Sequence, residues 1–237
     1  MRINQLLIML FGISVAANLY ANPTLSTFDN TYNAKLYGFN ITVTSKLSEL
    51  PNGNYQYLFN ADSSVGRVAE TTEISWLENE KRVVPIHYTY KRNGLGKNRD
   101  EELVFDWPNL KLNNINKNQL TNLDANKRLH DSLSYQVQLN QDLIAGKNKF
   151  SYAVTNGRKI RNYLFETIGE ENLSTPLGDV KTVKVKRSRE NDDLVTYAWF
   201  AKDFQYLLVR MQQEENGSSY TIYISKASIN GKAIENF

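Results

Sequence analysis

The chain has 237 residues, 41% hydrophobic and 22% charged, a balance that excludes disordered, fibrous and collagen-like classes. Its 28 basic and 25 acidic residues leave a formal net charge of +3, too small to argue for nucleic acid or an anionic membrane surface as a partner. There is no cysteine, which excludes disulfides, thiol chemistry, cysteine metal sites and a lipid anchor on an N-terminal cysteine.

The chain opens MRINQLLIMLFGISVAANLYA: one positive charge at Arg2, an apolar run from Leu6 to Ile13, then small residues. That order predicts a secretory signal peptide over residues 1–21, with Ala21 as its last residue and Ala17 as the alternative. Residues 22–237 are then expected to form a single β-rich domain. No later run is apolar for long enough to be a transmembrane helix.

Alternation with period two follows. In ITVTSKL, Ile41, Val43 and Leu47 oppose Thr42, Thr44 and Lys46; in NYQYLFNA, Tyr55, Tyr57, Phe59 and Ala61 share a face. In VVPIHYTYK the same period groups Val84, Ile86, Tyr88 and Tyr90, which leaves His87 on a surface face. Residues 113–127, NNINKNQLTNLDANK, read as an Asn-rich surface loop. Later strands are FSYAVT, KTVKVK and SYTIYISK; the basic run VKVKRSR reads as a solvated strand face. Asn-Gly at 52–53, 93–94, 156–157, 216–217 and 230–231 suits tight hairpin turns. The expected fold is mainly β: a curved antiparallel meander closing into a barrel or half-barrel. Stepping back from Phe237 in twos meets Glu235, Ala233 and Gly231, which is not the last strand of a membrane barrel.

One segment breaks the period. Leu129, Leu133, Val137 and Ile144, flanked by Leu139 and Leu143, predict an amphipathic helix over about 131–145, packed against the sheet. Its start contains His130, Asp131 and Ser132, which invite a catalytic-triad reading. Consecutive helical residues point about 100° apart, so Asp131 or Ser132 is better read as the helix N-cap. Gly146 supplies the C-terminal stop.

No catalytic residue, metal site or cofactor is expected: there are two histidines, no cysteine and no phosphate-cradling glycine loop. Ten Phe, fourteen Tyr and three Trp allow an aromatic concave face that binds an apolar small molecule or lipid, with Tyr57, Phe59, Trp107 and Trp199 as candidate ligand-binding residues. Two alternatives remain open. One is an envelope-polymer hydrolase using a carboxylate pair among Asp106, Glu166, Glu170 and Glu171; the other is a scaffold that binds another envelope protein.

Several phrases in order resemble the bacterial exported family called domain of unknown function 3108. They are VPIHYTYKRNG, LVFDW, HDSLSYQVQLNQDLIAGK, YAVTNGRKIRNYLFETIGEENLSTPLGDVKTVKVKR and YAWFAKDFQYLLVRMQ. Leu208 departs from the pattern, where a proline is expected. The resemblance implies a secreted, periplasmic β-rich domain, and it transfers no catalytic residue; the aromatic alternation and the single helix lead to the expectation of a non-enzymatic role in the cell envelope.

Overall fold

The computed structural model describes residues 25–36, 38–94, 96–124, 126–189, 192–215 and 218–237. The predicted signal peptide and the turn at 216–217 lie outside the described residues.

The alternating segments are strands, and their hairpins place each beside the next. The first wing comprises β1 (Phe28–Leu36), β2 (Phe39–Glu49), β3 (Tyr55–Ser63), β4 (Gly66–Leu77), β5 (Arg82–Gly94), β6 (Arg99–Asp106), β7 (Lys111–Asn114) and β8 (Gln119–Asn122). After β9 (Leu129–His130) comes the helix α1 (Ser134–Ile144). The second wing runs β10 (Lys149–Thr155), β11 (Ile160–Thr175), β12 (Gly178–Arg189), β13 (Asp192–Ala201), β14 (Leu207–Glu215) and β15 (Ser218–Ile229), and β16 (Lys232–Ala233) pairs with β15. The wings join where β1 pairs antiparallel with β15, Phe28 opposite Ile229. The result is one antiparallel sheet from β8 at one edge to β9 at the other, curled but not closed, a half-barrel. The exception is β9, which pairs parallel with β10 because α1 forms the crossover between them.

Inward positions follow the alternation. Tyr55 and Tyr57 are buried, as are Val43 and Leu47, Tyr152 and Val154, Val183 and Val185, and Ile222 and Ile224. The straight reading fails on β5. Glu73 pairs with His87 and Ile74 with Pro85, so Ile86 is the extra residue of a β-bulge. The bulge shifts the phase, and Val83 rather than Val84 or Ile86 joins Tyr88 in the core. Residues 113–127 are not a plain loop. Asn114 caps a 3-10 turn by accepting from Lys117 N at 3.2 Å, Asn118 takes a left-handed φ of 47°, and β8 then pairs back on β7.

Helix α1 starts and stops by side-chain chemistry. Asp131 accepts from the amides of Leu133 (2.8 Å) and Ser134 (2.9 Å), while Ser134 Oγ accepts from Asp131 N at 2.9 Å. That reciprocal pair is a capping box. At the other end Gly146 N donates to Leu143 O and Lys147 N to Asp142 O, with Gly146 at φ 75°, a Schellman stop. The expected apolar stripe needs correction: Leu129 belongs to β9, and Ile144 is 43% exposed. The helix is enclosed rather than laid over a face, burying Ser134, Tyr135, Val137, Gln138, Leu139, Asp142 and Leu143.

Polar side chains tie this enclosed helix to both wings. Thr72 of β4 donates to Asp131 at 2.8 Å, Val83 N donates to Gln138 Oε1 at 2.8 Å, and Tyr57 donates to Gln136 at 3.2 Å. On the other side Asn140 donates to the carbonyls of Gln205 and Tyr206. The wings also meet directly. Buried Glu101 of β6 takes Lys117, Arg99 and Arg158, while Arg99 donates to Asn156 O, and Asn114 and Lys117 to Gly157 O. Burial works to raise the Glu101 carboxyl, but hydrogen bonds from Lys117, Asn114 and Arg99 outweigh it and hold it below the usual carboxylate range. This clasp fastens the β10–β11 turn to β6 and β7 without a strand ladder.

Candidate functional site: the lumen between sheet and helix

Enclosing one helix does not fill a half-barrel of this width. Between α1 and the inner faces of β1–β3 and β11–β15 lies a cavity of about 270 Å³. Phe28, Val43, Leu47, Phe165, Val185 and Phe200 supply much of its apolar wall. The helix contributes Tyr135, Gln136, Leu139 and Asn140.

The four aromatic residues singled out from the sequence divide. Tyr57 and Phe59 lie on the cavity wall. Tyr57 is anchored there: its hydroxyl lies 3.0 Å from Ser45 Oγ and donates to Gln136 Oε1 on the helix. Burial lifts that phenol well above the usual range against the lowering effect of the Ser45 hydrogen bond, so it acts as a neutral hydrogen-bonding group. The structure places Trp107 and Trp199 elsewhere. Trp107 stacks on Phe105 at 6.0 Å and donates to Pro85 O at 2.7 Å, against the core of the first wing. Trp199 is buried on the opposite face of β13 from the cavity-lining Ala198 and Phe200. It donates to Glu171 and lies under the Arg210 and Lys184 cations at 4.3 and 4.8 Å.

Two polar atoms of the wall have no protein partner. Asn30 Oδ1 and Arg187 Nε are buried without a hydrogen bond, and both residues line the cavity. Leaving such a group unmet costs about 1–3 kcal/mol. A third such atom among the described residues, Arg210 Nε, lies outside the cavity lining. Sequence reasoning missed Arg187 by treating VKVKRSR as a solvated face. Lys184 and Lys186 do turn to the outer face, but Arg187 continues the inward row of Val183 and Val185. The alternation that placed the valines already placed Arg187 with them.

The residues that invited catalytic readings are held by other partners. His130 is 1% exposed, stands edge-on to Tyr152 at 5.6 Å and meets Ser134 Oγ at 3.4 Å, while Asp131 is engaged with the helix amides and Thr72. Burial pushes the His130 imidazole down to about 4, so it is neutral. His87 sits half-exposed against Glu102 at 3.0 Å. Of the four carboxylates, Asp106 accepts from Asn109, Glu166 pairs with Lys149, Glu170 with Lys181 and Lys202, and Glu171 with Lys184. None of the four lines the cavity. Among the described residues no cluster of three or more His, Asp or Glu has metal-binding geometry, and no helix is long and apolar enough to cross a membrane.

Comparison with known proteins supports the architecture. A beta-barrel-like protein of domain of unknown function DUF1849 from Brucella abortus is similar in fold, with a TM-score of 0.62 at 10% identity. The match covers 89% of this chain and all of that one. A lipoprotein candidate from Parabacteroides distasonis aligns over 87% of this chain and 96% of its own at 11% identity, with a TM-score of 0.29. No curated protein matches. The family model for "Protein of unknown function (DUF3108)" matches residues 31–225, most of the sheet and the whole helix, and the chain therefore belongs to the DUF3108 family.

Proposed function

We propose that this chain is an exported, non-enzymatic protein of the bacterial cell envelope that holds a small apolar or amphiphilic molecule between its sheet and its helix. The observation that carries the reading is the cavity. An apolar, concave, preformed space with a few convergent polar groups is the usual form of a small-molecule site. The N-terminal pattern over residues 1–21 supports export to the periplasm. In this reading the residues after the leader fold as a single domain, because the two wings share one sheet and grip one helix.

The test is a titration with an apolar fluorescent dye such as N-phenyl-1-naphthylamine, repeated on Ala198→Leu and Ala198→Phe, which fill the lumen from β13. Saturable binding that weakens stepwise with side-chain volume, while circular dichroism stays native, is the expected result. Binding indifferent to both substitutions would place the site elsewhere and overturn the reading.

A second reading has its own observation. Ile160, Leu164 and Ile168 of β11 are 54%, 41% and 45% exposed, three aliphatic side chains interspersed with Asn162 and Glu166 that suit contact with another envelope protein. Cross-linking in cells from a photoreactive residue at 164 tests it; a substitution-insensitive background pattern would remove it.

A further inference from the structure

The wall of the lumen specifies the chemistry of its occupant. Strand register lays two rows side by side on the inner face. Val185, Ala198, Met211 and Ile222 pair in succession across β12–β15 and make an apolar row. Two residues along, Arg187, Thr196 and Gln213 pair in succession and make a polar one. All seven residues line the cavity.

Arg187 is the charged member, and it is fixed. One terminal nitrogen donates to Tyr135 Oη at 3.3 Å, the other to Thr196 Oγ1 at 2.7 Å, and the guanidinium lies 4.9 Å from the centre of the Tyr163 ring. These partners are neutral, and Nε has none. Among the described residues no carboxylate pairs with Arg187. Other cations beside the interior differ: Arg99, Lys117 and Arg158 share Glu101, and Lys147 takes Asp142. Arg210 also leaves its Nε unmet, but it lies outside the cavity lining, against Trp199 and Tyr223. A cation set in an apolar wall with only neutral partners is unfavourable unless an anion meets it. The planar fork matches a carboxylate or a phosphate ester two bonds at a time.

We propose that the lumen takes a single-chain amphiphile with an anionic head, its head on Arg187 and its chain along the Val185, Ala198 and Met211 row. This rests on the lumen-binding reading above. The volume of about 270 Å³ lies just under the roughly 300–1,000 Å³ of most ligand sites, which favours a single-chain occupant over a two-chain lipid. Met211 adds an adaptable contact for a flexible chain.

The experiment is calorimetric titration of the full mature chain with dodecanoate, dodecyl phosphate, dodecanol and dodecyltrimethylammonium, each below its micelle threshold. At least one of the two anions should bind ~10-fold or more tighter than dodecanol, as a charge-assisted pair implies, and the quaternary ammonium weakest. The order of dodecanoate and dodecyl phosphate tells a fatty-acid head from a phosphate ester. Arg187→Gln should erase the preference for the anion and leave dodecanol affinity in place. Arg187→Lys, which keeps the charge and loses the fork, should retain part of it and serves where the glutamine variant folds poorly. Equal binding of all four amphiphiles, or an anion preference that survives Arg187→Gln, overturns the anionic head alone. No binding of any of them overturns the lumen-binding reading itself.

Discussion

Replacing His130 by Gln tests directly whether the HDS stretch is structural. The native imidazole is enclosed by the capping box and Tyr152, and burial lowers its proton affinity from the ordinary 6.5 to about 4. Above pH 6.5 neither folded nor unfolded chain protonates this residue, and its contribution to stability is complete. As pH falls from 6.5 to 4 the unfolded chain takes up a proton that the native chain refuses, so stability is lost. At ~1.4 kcal/mol per tenfold change in proton affinity, the loss is about 3 kcal/mol. Glu70 acts in the opposite sense. Burial pushes it up to about 7, with Tyr88 as its hydrogen-bond donor, so the native chain holds a proton between 4.5 and 7 that the unfolded chain releases. Its linkage makes stability fall as pH rises through that window, and the two groups offset each other in the wild type. Urea unfolding from about pH 7.5 to about pH 4 should show the wild-type advantage over His130→Gln shrinking by about 3 kcal/mol on acidification. Parallel profiles for the two proteins would refute the argument, because the native imidazole would then titrate freely, as a solvent-accessible catalytic base does.

Three further outcomes follow from the packing. Gly157→Ala should cost about 2–4 kcal/mol in urea unfolding, because Gly157 has φ 79° and a Cβ there would meet Glu101 Oε2 at 2.9 Å and Asn114 Nδ2 at 3.0 Å; a loss under about 1 kcal/mol would show that the clasp is loose. Asp131→Ala strands two helix amides and the Thr72 hydroxyl and should cost about 3 kcal/mol, whereas Asp131→Asn should recover most of that; equal effects of the two would argue against the capping box. Tyr57→Phe removes a hydroxyl shared by Ser45 and Gln136 and should cost about 1 kcal/mol by the same assay, with no loss expected if the helix is not tied to β3.

Much of this architecture was legible in the alternation. Tyr57 and Phe59 reach the lumen because β3 keeps strict period two from Tyr55 onward. The helix was legible too, since Asp131 and Gly146 mark its ends. What the pattern hid depends on long-range partners. A bulge at Ile86 reverses the face of half a strand, and its one local signal, the adjacent Pro85 in an interior strand, is overridden by the plain alternation. The helix carries buried Gln138 and Asp142, polar residues that read as exposed until β5 and Tyr152 arrive to satisfy them. Trp107 and Trp199 drew attention by size, but each indole N–H went to a partner away from the lumen. Arg187 was masked by its lysine neighbours: charge in the run outweighed phase in the reading, although phase was the better guide.

The most direct measurement is native mass spectrometry of the protein released gently from the cells that make it, with no detergent added. The account predicts a population carrying one small molecule, lost on denaturation and absent from Ala198→Phe handled in the same way. A spectrum showing the bare polypeptide mass alone, from protein that also fails to take up dodecanoate or the fluorescent dye afterwards, would contradict the claim that this lumen is built to be occupied.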